Sequence, residues 1–178
     1  MNLKPTLVAL AAFACVSAAQ ANIETFVGNT TGGPTFNRLL EDLSDLSAIG
    51  TAVAYKVQSF KVDVAGEYTF LTTAAFDSFV FLYSPTFNAG TPFTNALIGN
   101  DDLLGLTTSG FAYDLAAGMT YHYITTGFDN DDFGKYSTTI GGPGDIGPAV
   151  PEPESYALLA LGLAVLGLAR RRGSAGAK

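Results

Sequence analysis

The stretch from residue 53 to residue 84, VAYKVQSFKVDVAGEYTFLTTAAFDSFVFLYS, decides the fold class. It opens with alternation: Val53, Tyr55, Val57 and Ser59 fall on one side, Ala54, Lys56, Gln58 and Phe60 on the other. The phase then slips to Phe60, Val62 and Val64, as it does across a β-bulge. A period of two sends successive side chains to opposite faces, the mark of a strand. Ala65-Gly66 is a turn, after which EYTFLTTA (67–74) and DSFVFLYS (77–84) form β-rich runs bounded by Asp77 and by the Pro85–Pro92 loop.

Outward from this stretch the pattern repeats. NALIG (95–99), SGFAYDL (109–115), MTYHYITTGF (119–128) and GKYSTTIGG (134–142) are separated by Ala-Gly or Asp/Asn-rich loops, with no helical period between them. Such spacing predicts an all-β protein, an antiparallel, jelly-roll-like β-sandwich over residues 51–142. About seven strands of roughly 5–7 residues suffice for two facing sheets, and each buried aromatic contributes on the order of 2 kcal/mol. Tyr55, Phe60, Tyr68, Phe70, Phe76, Phe79, Phe81, Tyr83, Phe111, Tyr113, Tyr121, Tyr123 and Tyr136 are accordingly read as packing residues, with an exposed minority left for sugar. Residues 22–50 form an N-terminal arm with two readings. Leu39, Leu40, Leu43 and Leu46 recur at helical spacing, which suits a short helix; an irregular arm tucked under a sheet suits them equally.

The ends read differently. Residues 1–21, MNLKPTLVALAAFACVSAAQA, carry Lys4, an apolar core from Leu7 and the small-x-small site Ala19-Gln20-Ala21: a signal peptide cut before Asn22. The chain's one cysteine, Cys15, lies inside that core. The exported domain therefore has no thiol for a disulfide, a metal or a nucleophile. Between residues 22 and 149, four bases stand against fourteen acids, a net charge near −10 compared with −7 for the whole chain. That field repels phosphate backbones, which argues against nucleic acid and favours divalent cations.

The order GEYTFLTTAAFDSFVFLYSPTFN, LIGNDD, SGFAYDLAAGMTYHYITTGF, GKYSTTI resembles the bacterial pre-peptidase C-terminal domain, a β-sandwich appended to secreted proteins. The correspondence rests on Asp77, Leu82-Tyr83, Asn100 to Asp102, Ala117-Gly118 and Gly134 to Tyr136, over residues 52–142. The resemblance implies a sandwich and, since some members bind calcium, a calcium site.

Two acidic clusters are candidate ligands: GNDDL (99–103) and FDNDDFGK (128–135). Calcium takes six to eight oxygens, which carboxylates and Asn carbonyls in loops supply. An EF-hand is excluded, because Phe133 and Ile140 stand where ligands are needed. A cross-loop site drawing on Asn100, Asp101, Asp102, Asp129, Asp131 or Asp132 remains, against the plainer reading of these acids as solvated turn residues. His122, the sole histidine, sits in a strand between two tyrosines; there is no Gly-x-Ser-x-Gly elbow, so no catalytic residue is assigned and the protein is read as no enzyme.

Residues 143–149 are a Gly/Pro linker. Residues 150–178 then bring Val150, Pro151, Glu152 and Pro153, an apolar membrane helix at 155–169, and Arg170, Arg171 and Arg172 as a membrane-stop cluster. The fourteen apolar residues from Tyr156 to Ala169 span about 21 Å as a helix, and snorkelling arginines make up part of the roughly 30 Å bilayer core. This arrangement closely resembles the PEP-CTERM sorting signal. The resemblance implies an exported protein, held transiently in the inner membrane, processed by the membrane peptidase exosortase and delivered to the cell surface or extracellular matrix. There it serves a structural or adhesive role linked to exopolysaccharide and biofilm. The alternative is a calcium-dependent carbohydrate-binding module that uses exposed tyrosines.

Overall fold

The computed structural model describes residues 21–149. The signal peptide, Cys15, the membrane helix, Val150 to Pro153 and the arginine cluster lie outside the described residues. The described residues form eleven strands: β1 (Asn22–Asn29), β2 (Thr35–Phe36), β3 (Val53–Ala54), β4 (Lys56–Val62), β5 (Gly66–Ala74), β6 (Ser78–Tyr83), β7 (Ala96–Asn100), β8 (Thr108–Leu115), β9 (Tyr121–Gly127), β10 (Lys135–Gly142) and β11 (Ile146–Pro148). No helix occurs among the described residues, and so none there is long and apolar enough to cross a membrane.

Two antiparallel sheets face each other, ordered β1-β10-β5-β8 and β11-β4-β9-β6-β7, with β2-β3 as a small separate ribbon. From β4 to β11 the chain changes sheet at every connection except the β6–β7 hairpin. This is the double Greek-key order of a jelly roll. The core lies between the sheets: Phe60, Val62, Val80, Leu82, Tyr121 and Tyr123 meet Tyr68, Phe70, Leu115 and Ile140. Phe70 and Tyr123 stack across the gap, with centroids 5.3 Å apart and planes at 9°.

A second apolar cluster covers the outer face of the five-stranded sheet. Phe36, Leu39 and Val53 from the N-terminal arm pack on Phe79, Phe81, Tyr83 and Ile124. Strand β6 is therefore buried on both faces over its whole length, which explains why SFVFLY is continuously apolar instead of alternating.

Several expectations change. The leucines at 39, 40, 43 and 46 form no helix. Leu39 and Leu46 bridge across a tight turn in which Leu43 has φ +60°. Asp42 Oδ1 accepts from Ser44 N at 3.0 Å and Asp45 Oδ1 from Leu46 N at 2.7 Å, local bonds that compete with helical ones. Of the two readings of the arm, the tucked one describes residues 30–50.

Residues 22–29, placed in the arm by the sequence, pair along their full length with β10 and belong to the sandwich. Within the expected linker, β11 pairs with Val62 to Phe60; as an edge strand it tolerates Pro148. The expected phase slip near Phe60 is absent. Phe60 and Val62 simply continue the inward set of β4, and the interruption falls at Tyr55, whose N–H turns to the Pro34 carbonyl at 3.0 Å. The register shift of the sheet lies instead between Leu82 and Tyr83.

One polar group crosses the core. Thr72 Oγ1 lies 2.9 Å from the Tyr123 hydroxyl and 2.7 Å from Thr138 Oγ1, all buried. Thr72→Val keeps the shape but strands two hydroxyls, and is expected to cost about 1–3 kcal/mol in a urea titration. A loss under about 0.5 kcal/mol would show that the two hydroxyls find other partners.

Candidate functional site

Strands β1, β5, β7 and β9 all run toward one end of the sandwich, as their antiparallel registers require. The connections that follow them, at residues 30–34, 75–77, 101–107 and 128–134, gather there. Asp77, Asp101, Asp102, Asp129, Asp131 and Asp132 are all in these connections, and the two acidic clusters of the sequence become one acidic end.

Within it, one carboxylate oxygen from each of Asp77, Asp101 and Asp102 lies within 4.8 Å of the other two. Oδ1 of Asp77 and Oδ1 of Asp101 are buried without a hydrogen-bond partner. Burial first, and then the neighbouring Asp102 and Asp77 charges, push Asp101 up to about 6. Asp77 is also raised, mainly by burial and next by the Asp132 charge. Asp132 moves in the same direction, again chiefly through burial. Three carboxylates offer up to six oxygens, two of them orphaned, which suits the hard-oxygen donor set of calcium.

The charge beneath these acids is Arg38, 2% exposed. Its Nε and Nη2 donate to the Phe128 carbonyl at 2.9 and 2.7 Å, and Nη1 donates to the Leu39 carbonyl at 3.0 Å. The guanidinium carbon lies 4.2 Å from the Phe79 ring centroid and 4.9 Å from that of Phe128. Burial lowers its pKa, and the Asp101, Asp77 and Asp129 charges oppose that shift. Arg38 and Asp101 share a cavity of about 390 Å³ with Leu40, Ile49, Phe79 and Phe128.

The six residues singled out in the sequence divide. Asp101 and Asp102 enter the carboxylate cluster. Asn100 is committed elsewhere: its Nδ2 donates to Glu41 Oε1 at 3.0 Å and its Oδ1 accepts from Gly110 N at 2.8 Å. Asp129 Oδ1 accepts from Asp131 N at 2.8 Å and Asp132 Oδ2 from Asp129 N at 3.1 Å, so these two carboxylates hold the 128–134 turn together. Asp131 is exposed.

Asp77 was not among the proposed ligands, although it is the one charged residue between Glu67 and Asp101. Arg38, the single arginine between residues 22 and 149, was passed over among its leucines. Gly127 fits the site together: a Cβ there would meet the Asp132 backbone. Gly127→Ala is expected to displace the turn and cost about 1–3 kcal/mol by thermal melt; an unchanged midpoint would refute the close fit.

His122 is held by Ser59 Oγ, 2.8 Å from Nδ1, and by the Pro85 carbonyl, 3.0 Å from Nε2. Both ring nitrogens are thus occupied, on the outer face of the five-stranded sheet. The tyrosines of the described residues are all buried or half-buried, so a platform of exposed tyrosines for sugar is not found among them.

Residues 149–172 match the model of the PEP-CTERM protein-sorting motif. The chain carries a PEP-CTERM sorting signal. The PEP-CTERM signal is one of export and of sorting to the cell surface by way of the membrane, with processing by the membrane protein exosortase. It follows directly on β11 of the sandwich. Among solved structures, the PEP-CTERM chain is similar to the K1 cleaved adhesin domain of Lys-gingipain from Porphyromonas gingivalis W83. Identity is 16% and the TM-score 0.34, over 68% of this chain and 96% of that one. No curated protein matches the chain significantly.

Proposed function

We propose that the protein is a non-enzymatic structural or adhesive component of the cell surface or extracellular matrix, associated with exopolysaccharide and biofilm. The observation that carries this reading is the sorting motif at residues 149–172 behind a sandwich whose loops converge on acids instead of a catalytic set. We further infer that calcium binds at Asp77, Asp101 and Asp102. The two orphaned carboxylate oxygens and the raised pKa of Asp101 support this, since a divalent cation supplies the positive charge that Arg38 alone does not.

The test is mass spectrometry of the protein from its own host, compared with a strain lacking exosortase. The expected product from the intact strain lacks the arginine cluster and is recovered outside the inner membrane. Matrix yield and surface adhesion fall when the protein is deleted. An intact tail retained in the inner membrane of both strains would overturn the sorting reading, and unchanged adhesion would overturn the matrix role.

A further inference from the structure

The acidic end also carries an apolar feature that the sorting motif and the carboxylates leave unexplained. Leu103, Leu104 and Leu106 are 48%, 84% and 61% exposed, and Phe133, from the neighbouring connection, is 45% exposed. The leucines are not on a slack loop. Leu103 N donates to the Thr108 carbonyl at 2.8 Å, Leu104 N to Thr108 Oγ1 at 3.1 Å, and Thr108 N to the Gly105 carbonyl at 2.8 Å. Ser78 N ties the turn to β6 through the Leu106 carbonyl at 2.9 Å. Four ordered bonds hold three leucines toward solvent, at a cost in exposed apolar surface that a partner must repay.

The direction of the chain says what faces them. Strand β11 runs toward this same end, and its last residue, Pro148, stands opposite Phe60 of β4. Four residues of β4, to Lys56, remain before the end is reached, about 13 Å. Residues 149–155 carry the chain at most about 23–25 Å beyond Pro148, so a membrane segment beginning at residue 155 leaves the leucine turn at most about 10–12 Å of clearance along that axis. Against Arg38, Lys56 and Lys135, this end carries the more numerous acids Asp77, Asp101, Asp102, Asp129, Asp131 and Asp132. These repel a net anionic surface and suit the ammonium of a zwitterionic headgroup.

We propose that the 103–106 turn is a bilayer-docking element that seats the acidic end of the sandwich on zwitterionic lipid while the tail is in the membrane, with Leu103, Leu104 and Leu106 entering the headgroup–acyl boundary. The proposal rests on the reading of residues 155–169 as a membrane segment and concerns the calcium-free protein, so its test is run in chelator.

The chain contains no tryptophan, so a single indole reports its own depth. Leu104→Trp and, at the opposite end of the sandwich near the start of β1, Ile23→Trp replace side chains that are 84% and 69% exposed. Each full-length variant is reconstituted into phosphatidylcholine vesicles whose acyl chains carry bromine. The expected result is co-flotation of both variants, loss of most of the Leu104→Trp emission, and little loss for Ile23→Trp. Replacing part of the lipid with phosphatidylglycerol weakens the quenching. Co-flotation with an unquenched Leu104→Trp would overturn docking while leaving the membrane tail intact. Failure to float would overturn the membrane segment, and the docking with it.

Discussion

Arg38→Ala is expected to lower the unfolding free energy by about 3–5 kcal/mol, the largest effect of any single change outside the apolar core. The guanidinium is enclosed, and its removal acts in three ways at once. It leaves a cavity between Phe79 and Phe128, whose rings lose a cation at 4.2 and 4.9 Å. It strands the Phe128 and Leu39 carbonyls, which accept all of its described hydrogen bonds. It also takes away the cation nearest to Asp77 and Asp101, whose pKa values then rise further. Arg38→Lys keeps the charge but not the three-pronged fork, and an intermediate loss is expected. Urea titration of the three proteins decides the matter. A loss below about 1 kcal/mol for alanine would mean that the buried cation is dispensable to the fold.

The second large effect is a reversal of the pH dependence of stability by calcium. A carboxyl whose pKa rises on folding favours the folded state while it is protonated. Its contribution is complete below the ordinary value of 3.8 and is lost as pH climbs through the folded value, about 6 for Asp101. Allowing for solvent screening of a partly exposed group, Asp101 costs the metal-free protein about 1–2 kcal/mol by neutral pH. Asp77 and Asp132, raised in the same direction, add to the trend. Calcium needs the ionised carboxylates, so it adds stability only as they lose their protons, about 2.7 kcal/mol at a hundred times its dissociation constant. The melting temperature is therefore expected to fall between about pH 4.5 and about pH 7.5 in chelator and to rise over the same interval in calcium. Asp101→Asn should flatten the chelator profile, stabilise the metal-free protein at neutral pH and abolish the calcium response. Superimposable curves with and without calcium would remove the metal from the proposed function.

Most strands were legible because a strand's signature is local. Alternation, β-branched and aromatic residues and Gly, Asn or Pro punctuation placed β5 through β10 close to their observed bounds. Short edge elements were not. The residues of β1 read as an arm, and those of β11 lie in a Gly/Pro stretch, because an edge strand owes its existence to a partner distant in sequence: Lys135 to Gly142 for the one, Phe60 to Val62 for the other. The leucines at 39 to 46 misled for the complementary reason. Their spacing satisfies a helix, but Phe36, Leu39 and Val53 bury more by covering Phe79 and Phe81 than a lone helical turn offers.

By itself the sequence determined the all-β class, the acidic character of the exported domain, the bases and prolines of its tail, and the two loops where acids collect. Each of these is written in composition, in period or in a contiguous motif. Only the tertiary structure decided which acids meet. Asp77 and Asp101 are separated by β6 and β7, and they converge because that hairpin returns the chain to the end from which it left. The tucked N-terminal arm placed Arg38 beneath them, and the hairpin set the leucine turn beside them on the end toward which β11 points. Proximity of that kind is a property of strand direction and pairing, which no local pattern of residues encodes.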